Sequence, residues 1–287
     1  MMTTMSGRTV LITGGNTGIG RTAARQLGEL GAHVVITARN RAKGESALSW
    51  LREAVPAATF DLVDLDLSDT AAIERAAEEI LQRWPKLNVL VNNAGLIVDD
   101  RTTTAQGFET TFGVNHLGHF LLTARLRDRL VASAPARIVN VSSEAHRMAW
   151  RGLPWDDLMH ERNYNAWAAY GASKLANISF TVGLGHRLAG FGVTANALHP
   201  GIVRTEFGQD RDLNGVMSLL MKPARLVFAT PERGARTTTY LASSPVGESA
   251  TGGYYASCRP RIPSAHARDE AAAERLWKVS EELLGLG

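Results

Sequence analysis

The sequence predicts an α/β protein: a doubly wound parallel sheet flanked by helices. Three observations carry this. Short β-branched apolar runs alternate with longer helix-patterned stretches, as strand, crossover helix and parallel strand do. The runs VLIT, VVIT, VLVN and RIVNV are almost continuously apolar, which suits strands covered on both faces. The alternation continues to residue 197 with no Pro/Ser-rich linker, low-complexity tract or apparent repeat. A length of 287 residues would admit two domains. The unbroken alternation instead predicts one domain over 1–287.

In chain order, strands are predicted at Thr9–Thr13, His33–Thr37, Thr59–Val63, Val89–Asn92, Arg137–Val141 and Val193–Ala197. Between them helices are predicted at Ile19–Leu30, Ala42–Ala54, Thr70–Trp84, Gly107–Ala134 and Ala166–Ala189, several ending near a glycine. Beyond them come Asn214–Phe228, interrupted by Pro223, a helix from about Pro231 to Ala242 and a last helix near Asp269–Leu284.

Composition narrows the function classes. With 45% hydrophobic and 21% charged residues the chain has material for a core and is no candidate for disorder. The single cysteine, Cys258, excludes an intrachain disulfide and has no partner motif for a nucleophile. Lys+Arg 31 against Asp+Glu 28 leaves +3 without a basic run, so no nucleic-acid partner is expected. The start has neither a basic region nor an apolar h-region, and no stretch reaches the roughly 18 apolar residues of a membrane span. A soluble, cytoplasmic protein is therefore expected, with no transmembrane segment. His116, His119, His146 and His160 form no HxxxH or HExxH pair with a carboxylate partner, so no metal site is expected.

The first strand runs directly into Thr13-Gly14-Gly15-Asn16-Thr17-Gly18-Ile19-Gly20 and then a helix. Glycines there permit a tight turn and close backbone approach to a pyrophosphate at the positive end of the helix; a purely structural turn is the alternative. Tyr170 and Lys174 lie four apart on one predicted helix and project from one face. Either they are an exposed pair, or the ammonium favours phenolate and draws the tyrosine down from its reference pKa of about 10 toward acid/base use.

The glycine spacing TGxxxGxG is followed in order by Asp66-Leu67, Asn92-Asn93-Ala94-Gly95, Asn115, Ser142-Ser143, Tyr170-Gly171-Ala172-Ser173-Lys174 and Pro200-Gly201 with Thr205. In this ordered set, spanning Thr13 to Thr205, the sequence resembles the short-chain dehydrogenase/reductase family. The resemblance implies a Rossmann-type domain and hydride transfer between a nicotinamide cofactor and a carbonyl or alcohol. It implies Ser143 as the carbonyl-polarising hydroxyl, with Ser142 structural, and Tyr170 as the proton-transfer group. Lys174 would hold the ribose, and Asn115 would sit at a helix distortion holding a relay water. It further implies cofactor contacts from Gly14, Asn16, Thr17, Gly18, Ile19, Gly20, Asp66, Leu67, Asn92, Ala94, Gly95, Tyr170, Lys174, Pro200, Gly201, Val203 and Thr205. Asp66, Leu67, Asn92, Ala94, Gly95, Val203 and Thr205 could also be ordinary loop residues. Against the family the chain carries a loop insertion at about 146–167, a substrate-lid region at about 206–229 and a C-terminal extension at about 253–287. The resemblance implies that Asn214–Phe228 is a mobile substrate cover; a core or dimer-contact helix and a superficial membrane contact are the alternatives.

The second strand ends in Ala38-Arg39-Asn40, where an NAD site would usually place an acid against the ribose 2′-OH. Arg39 can pair with an adenosine 2′-phosphate, with Asn40 beside it and Arg41 and Lys43 following, so NADP(H) is expected over NAD(H). A solvated loop arginine is the alternative.

Ser143 and Tyr170 are 170 − 143 = 27 positions apart, longer than in most of the family. The extra segment, with Trp150, Trp155 and Trp167, reads either as a wall for an apolar substrate or as rings packing the insertion down. This insertion, the KLAN of the tyrosine helix, His199-Pro200-Gly201 and the ending GGYYASCR…RLWKVSEELLGL resemble the retinol dehydrogenase-like branch. Animal members carry a membrane anchor before the glycine motif; here a dozen residues precede Thr13. The expected activity is NADP(H)-dependent reduction of a small to medium apolar carbonyl, or oxidation of the alcohol. The alternatives are a catalytically silent NADP-binding sensor, and epimerisation or dehydration on the same scaffold. Relatives pair, as dimers or tetramers, through the two long helices equivalent to Gly107–Ala134 and Ala166–Ala189.

Overall fold

The computed structural model describes residues 2–201 and 230–287. Its strands are β1 (Thr9–Ile12), β2 (His33–Ala38), β3 (Thr59–Asp64), β4 (Val89–Asn92), β5 (Ala136–Val141), β6 (Val193–Leu198), β7 (Tyr254–Ala256) and β8 (Arg259–Pro260). They form one sheet in the order β3-β2-β1-β4-β5-β6-β7-β8, parallel throughout except for the antiparallel β7–β8 pair. The chain winds outward from β1 to β3, then returns to place β4 on the other side of β1. That reversal opens a crevice at the carboxyl ends of β1 and β4, where open α/β sheets bind ligands.

The crossovers are α1 (Gly18–Glu29), α2 (Arg41–Ala54), α3 (Thr70–Arg83), a single turn α4 (Thr110–Phe112) leading to α5 (Gly118–Ala132), and α6 (Ala166–Arg187). After β6 come α7 (Pro231–Ser243), α8 (Pro245–Ser249) and α9 (Glu270–Leu284). Strand alternation divides the core. Leu11 and Val35 face the layer holding Phe120, Leu126 and Phe180, whereas Val10, Ile12, Val34 and Ile36 face Leu27, Leu51 and Leu241. A fully buried Leu or Ile contributes about 1.5–3 kcal/mol, so a register slip in any strand would be costly on both faces.

Two differences from the sequence expectation matter for the site. The stretch expected as one helix over Gly107–Ala134 is broken by a π-turn at Gly113–Leu117. Glycines flank the break: Gly118 packs so closely on Leu67 that a Cβ would stand 2.6 Å from its carbonyl oxygen. The second concerns the extension. Strands β7 and β8 carry only three and two residues, too few for a periodic signal. They extend the sheet, while α9 lies over α5 and α6. Trp277 meets Phe120 edge-on and Phe180 at a tilt, with centroid distances of 4.8 and 5.7 Å, and Glu274 pairs with Arg187 at 2.9 Å. The chain's own last helix thus packs on the two long helices through which the resemblance places pairing between copies.

Candidate active site

At the carboxyl end of β1 the chain turns within the glycine octet. Gly14 has φ +62°, and a Cβ on Gly20 would lie 2.4 Å from the Gly14 carbonyl oxygen, so the turn closes only with glycine at both places. Among the described residues no side chain caps the amino end of α1. Its first turn has no acid, and the extended N-cap residue Thr17 does not cap it with its side chain. Asn40, Asp69, Asn165, Thr230 and Asp269 do cap α2, α3, α6, α7 and α9. The backbone N–H groups around Gly18, Ile19 and Gly20 thus fit an anionic group, with the half-buried Asn16 beside them.

Thr13 and Asn93, two residues the site reading left out, lock this turn to the one after β4. The Thr13 hydroxyl accepts from Asn93 N at 2.9 Å and Ala94 N at 3.0 Å. Asn93 Nδ2 donates to Thr13 O at 2.8 Å. The Asn92 amide faces the core instead, donating to Thr123 and Asn140, so any contact from Asn92 to a cofactor would have to come from its backbone. At Gly95 a Cβ would stand 3.2 Å from both Lys174 Nζ and Asn115 Oδ1, so glycine lets the ammonium and the amide close on the backbone there.

On the adenosine side, Arg39 is exposed and makes no hydrogen bond or ion pair among the described residues. Asn40 spends its side chain on Lys43 N at 3.0 Å. Arg41 is answered by Glu45 at 2.9 Å and Asp64 at 3.2 Å, so it is not an open cation as the sequence suggested. Asp66 Oδ1 accepts from Ser68 N and Oγ, and Leu67 is buried.

The catalytic candidates converge where β5, the π-turn and α6 meet. Ser142 Oγ donates to Lys174 O at 2.7 Å and is thereby spent on α6. Ser143 Oγ accepts from Ala145 N at 3.1 Å and shares a hydrogen bond with the Tyr170 side chain. The approach depends on Gly171, where a Cβ would meet Ala145 O at 2.9 Å. Lys174 is 3% exposed, donates from Nζ to Val141 O at 3.2 Å, and stands 5.5 Å from the Tyr170 ring centroid.

Burial dominates the titration of this pair. It pushes Tyr170 up to about 12, against the opposing pull of the Ser143 hydrogen bond. It pushes Lys174 down to about 8. The expected lowering of the tyrosine by Lys174 is therefore reversed in this structure. The half-buried phenol is desolvated, and the ammonium that would favour phenolate is itself weakened.

Asn115 sits in the π-turn. Its Nδ2 donates to Leu96 O at 2.8 Å and Ser173 Oγ at 3.0 Å, and its Oδ1 accepts from Leu96 N at 2.8 Å. His119 contacts the Asn115 carbonyl through Nδ1 at 3.1 Å and Thr13 Oγ1 through Nε2 at 2.9 Å. A carbonyl only accepts, so the proton is on Nδ1 and Nε2 accepts from the threonine. Burial pushes His119 down to about 4, which keeps this link neutral. His116 bonds Ser280 of α9 at 2.9 Å.

The insertion divides its tryptophans. Leu153 and Leu158 are buried against α6 and the extension, with Trp155 packed on the same cluster and Arg275 over its ring at 4.3 Å. Trp150 is 69% exposed. Trp167 lies edge-on to Tyr170 at 6.2 Å. Beyond β6, Pro200 is half-buried and Gly201 N donates to His199 Nδ1 at 3.1 Å. Val203, Thr205, the segment at 206–229 and Asn214–Phe228 lie outside the described residues.

Comparison with known proteins agrees with this architecture. A family model described as short chain dehydrogenase matches residues 8–155 and 158–214. Human retinol dehydrogenase 12 is 45% identical over 98% of this chain and 88% of its own length, and human retinol dehydrogenase 13 is 41% identical over 99% and 86%. Among solved structures, a Mycobacterium paratuberculosis protein is 34% identical with a TM-score of 0.79, covering 99% of this chain and 96% of its own. Pseudomonas aeruginosa RhlG, in its NADP active-site complex, is 26% identical with a TM-score of 0.70, covering 92% and 98%. Among the described residues no helix is long and apolar enough to cross a membrane. The chain is an oxidoreductase of the short-chain dehydrogenase/reductase family, in its retinol dehydrogenase-like branch.

Proposed function

We propose that the protein reduces the carbonyl of a small to medium apolar substrate, or oxidises the matching alcohol, using NADP(H) in preference to NAD(H). The observation that carries this is the meeting of Ser143, Tyr170 and Lys174 beside an α1 amino end that no described side chain caps and the close backbone at Gly95. A nicotinamide bound there supplies or accepts the hydride. Ser143, whose Oγ accepts from Ala145 N, has one O–H to turn onto the substrate oxygen. Tyr170, protonated at neutral pH, hands its proton to that oxygen as charge develops on it. Lys174, mostly charged at neutral pH, presents its ammonium beside Gly95, where a ribose would lie. Asn115 holds Leu96 and Ser173 in place, fixing the turn that carries Gly95.

Arg39 supports the choice of NADP(H). It is exposed at the end of β2 and uncommitted among the described residues, where a guanidinium can pair with a 2′-phosphate. Trp167, edge-on to Tyr170, supports an apolar substrate, and the names of the retinol dehydrogenase relatives point the same way. The test is a panel of aldehydes, ketones and alcohols assayed with NADPH/NADP and NADH/NAD. Turnover of apolar carbonyls with a clear preference for NADPH is expected; equal efficiency with NADH would overturn the cofactor assignment, and no hydride transfer across the panel the reaction itself.

A further inference from the structure

On that reading, we propose that His146 is a positioning residue whose two ring nitrogens tie the carbonyl of Ser143 to the backbone N–H of Ser264. The C-terminal extension thereby aims the serine hydroxyl. Ser143 O accepts from His146 Nδ1 at 2.7 Å and from His146 N at 3.1 Å. Ser264 N donates to His146 Nε2 at 3.1 Å. A carbonyl can only accept and an amide N–H can only donate, so the geometry requires a neutral imidazole with its proton on Nδ1.

The environment maintains that form. His146 is fully buried, with Tyr254 of β7 edge-on at 5.3 Å. Burial holds it below the ordinary histidine range; of the charged neighbours Glu144 opposes this, while Arg147 and His199 reinforce it. Protonation would set a second N–H against Ser264 N and break the tie.

The turn at Glu144–Met148 is held from two sides. Toward α6 it is fixed by the Ser142 bond to Lys174 O and the close contact at Gly171. Toward the extension it is fixed by His146 and by Glu144, which accepts from Tyr254 OH at 3.3 Å and His199 Nε2 at 3.2 Å. Ser143 Oγ keeps its bond from Ala145 N, and with it the position of its hydroxyl, only while this turn holds its shape.

The test uses the full-length protein and four substitutions. H146N is too short to reach Ser264, H146Q carries its amide at the far position and leaves no donor where Nδ1 stood, S264P removes the donor N–H, and S264A keeps it. Loss of kcat by about ten- to a hundredfold is expected in H146N, H146Q and S264P, with the NADPH Kd within about twofold of wild type and S264A unchanged. Wild-type kcat in H146N or H146Q would overturn the proposal, as would NADPH binding collapsing together with kcat, which would mark a merely structural histidine. Should the variants not fold, the imidazole 15N shifts of the wild-type protein decide. An Nδ1–H tautomer at neutral pH is expected, and an Nε2–H tautomer or an imidazolium would overturn the proposal. S143A separates the two readings: undiminished turnover there sinks the proposed reaction, whereas a dead S143A beside active His146 variants sinks only the tie.

Discussion

The glycine turn after β1 and the catalytic wall around Ser143 lie at the same end of the sheet and are built in opposite ways. The first is local: Thr13 to Gly20 make the turn, and Thr13 and Asn93 close it with hydrogen bonds between two adjacent strands. The second is long-range: the chain around Ser143 is held by Lys174 and Gly171 of α6 through Ser142 and Ala145, by Tyr254 of β7 through Glu144, and by Ser264 through His146, 118 positions away. A region made of backbone fails when a Cβ enters it, and a region made of distant contacts fails when one partner is removed. Substitutions should therefore divide by region, with the wall setting kcat and the turn setting cofactor affinity.

After loss of the Tyr170 hydroxyl itself, the strongest expected effect breaks the wall alone. S143A removes the donor aimed at the substrate oxygen and should lower kcat by about 10²–10³ with NADPH affinity unchanged, measured by steady-state kinetics beside a fluorescence titration. Next comes the turn. G20V forces a side chain onto the Gly14 carbonyl and should weaken NADPH binding by roughly 30- to 150-fold, the worth of one or two hydrogen bonds to phosphate, seen as loss of quenching in the same titration. R39A should raise the KM for NADPH by about tenfold or more and leave that for NADH nearly unmoved, sharpening the assignment of this edge to the 2′-phosphate.

The smallest effect is a pH dependence. Lys174, lowered to about 8, loses its charge as pH rises through that value, while Tyr170, raised to about 12, keeps its proton. kcat/KM for carbonyl reduction, which reports the free enzyme, should therefore be level below about 8 and fall above it. K174R, charged throughout, should remove that limb even if it lowers the plateau.

The same contrast explains what could be read from the residues alone. The six strands of the alternation were placed to within a residue at each end, because parallel strands covered on both faces leave near-continuous apolar runs. The glycine turn was legible because its constraint lies within eight consecutive residues. The wall was not. His146 reads as one histidine in an insertion, and its partner Ser264 lies in an extension without periodicity. The π-turn at Asn115 leaves the helical pattern of its segment intact; the resemblance implied a helix distortion there, but the residue pattern alone did not. The tyrosine's titration went against expectation because burial, a tertiary property, outweighs the neighbouring ammonium that the i, i+4 spacing makes visible. The packing of α9 on α5 and α6 likewise depends on where a C-terminal amphipathic helix docks, which its own pattern does not state.

The central claim is that Tyr170 transfers the proton while the turn binds the cofactor independently. It is tested most directly by Y170F, with NADPH Kd measured on the same preparation as kcat for an accepted aldehyde. The account predicts wild-type affinity for NADPH and a kcat lowered by about 10²–10⁴, the usual worth of a positioned acid. Retention of most of the turnover would contradict it.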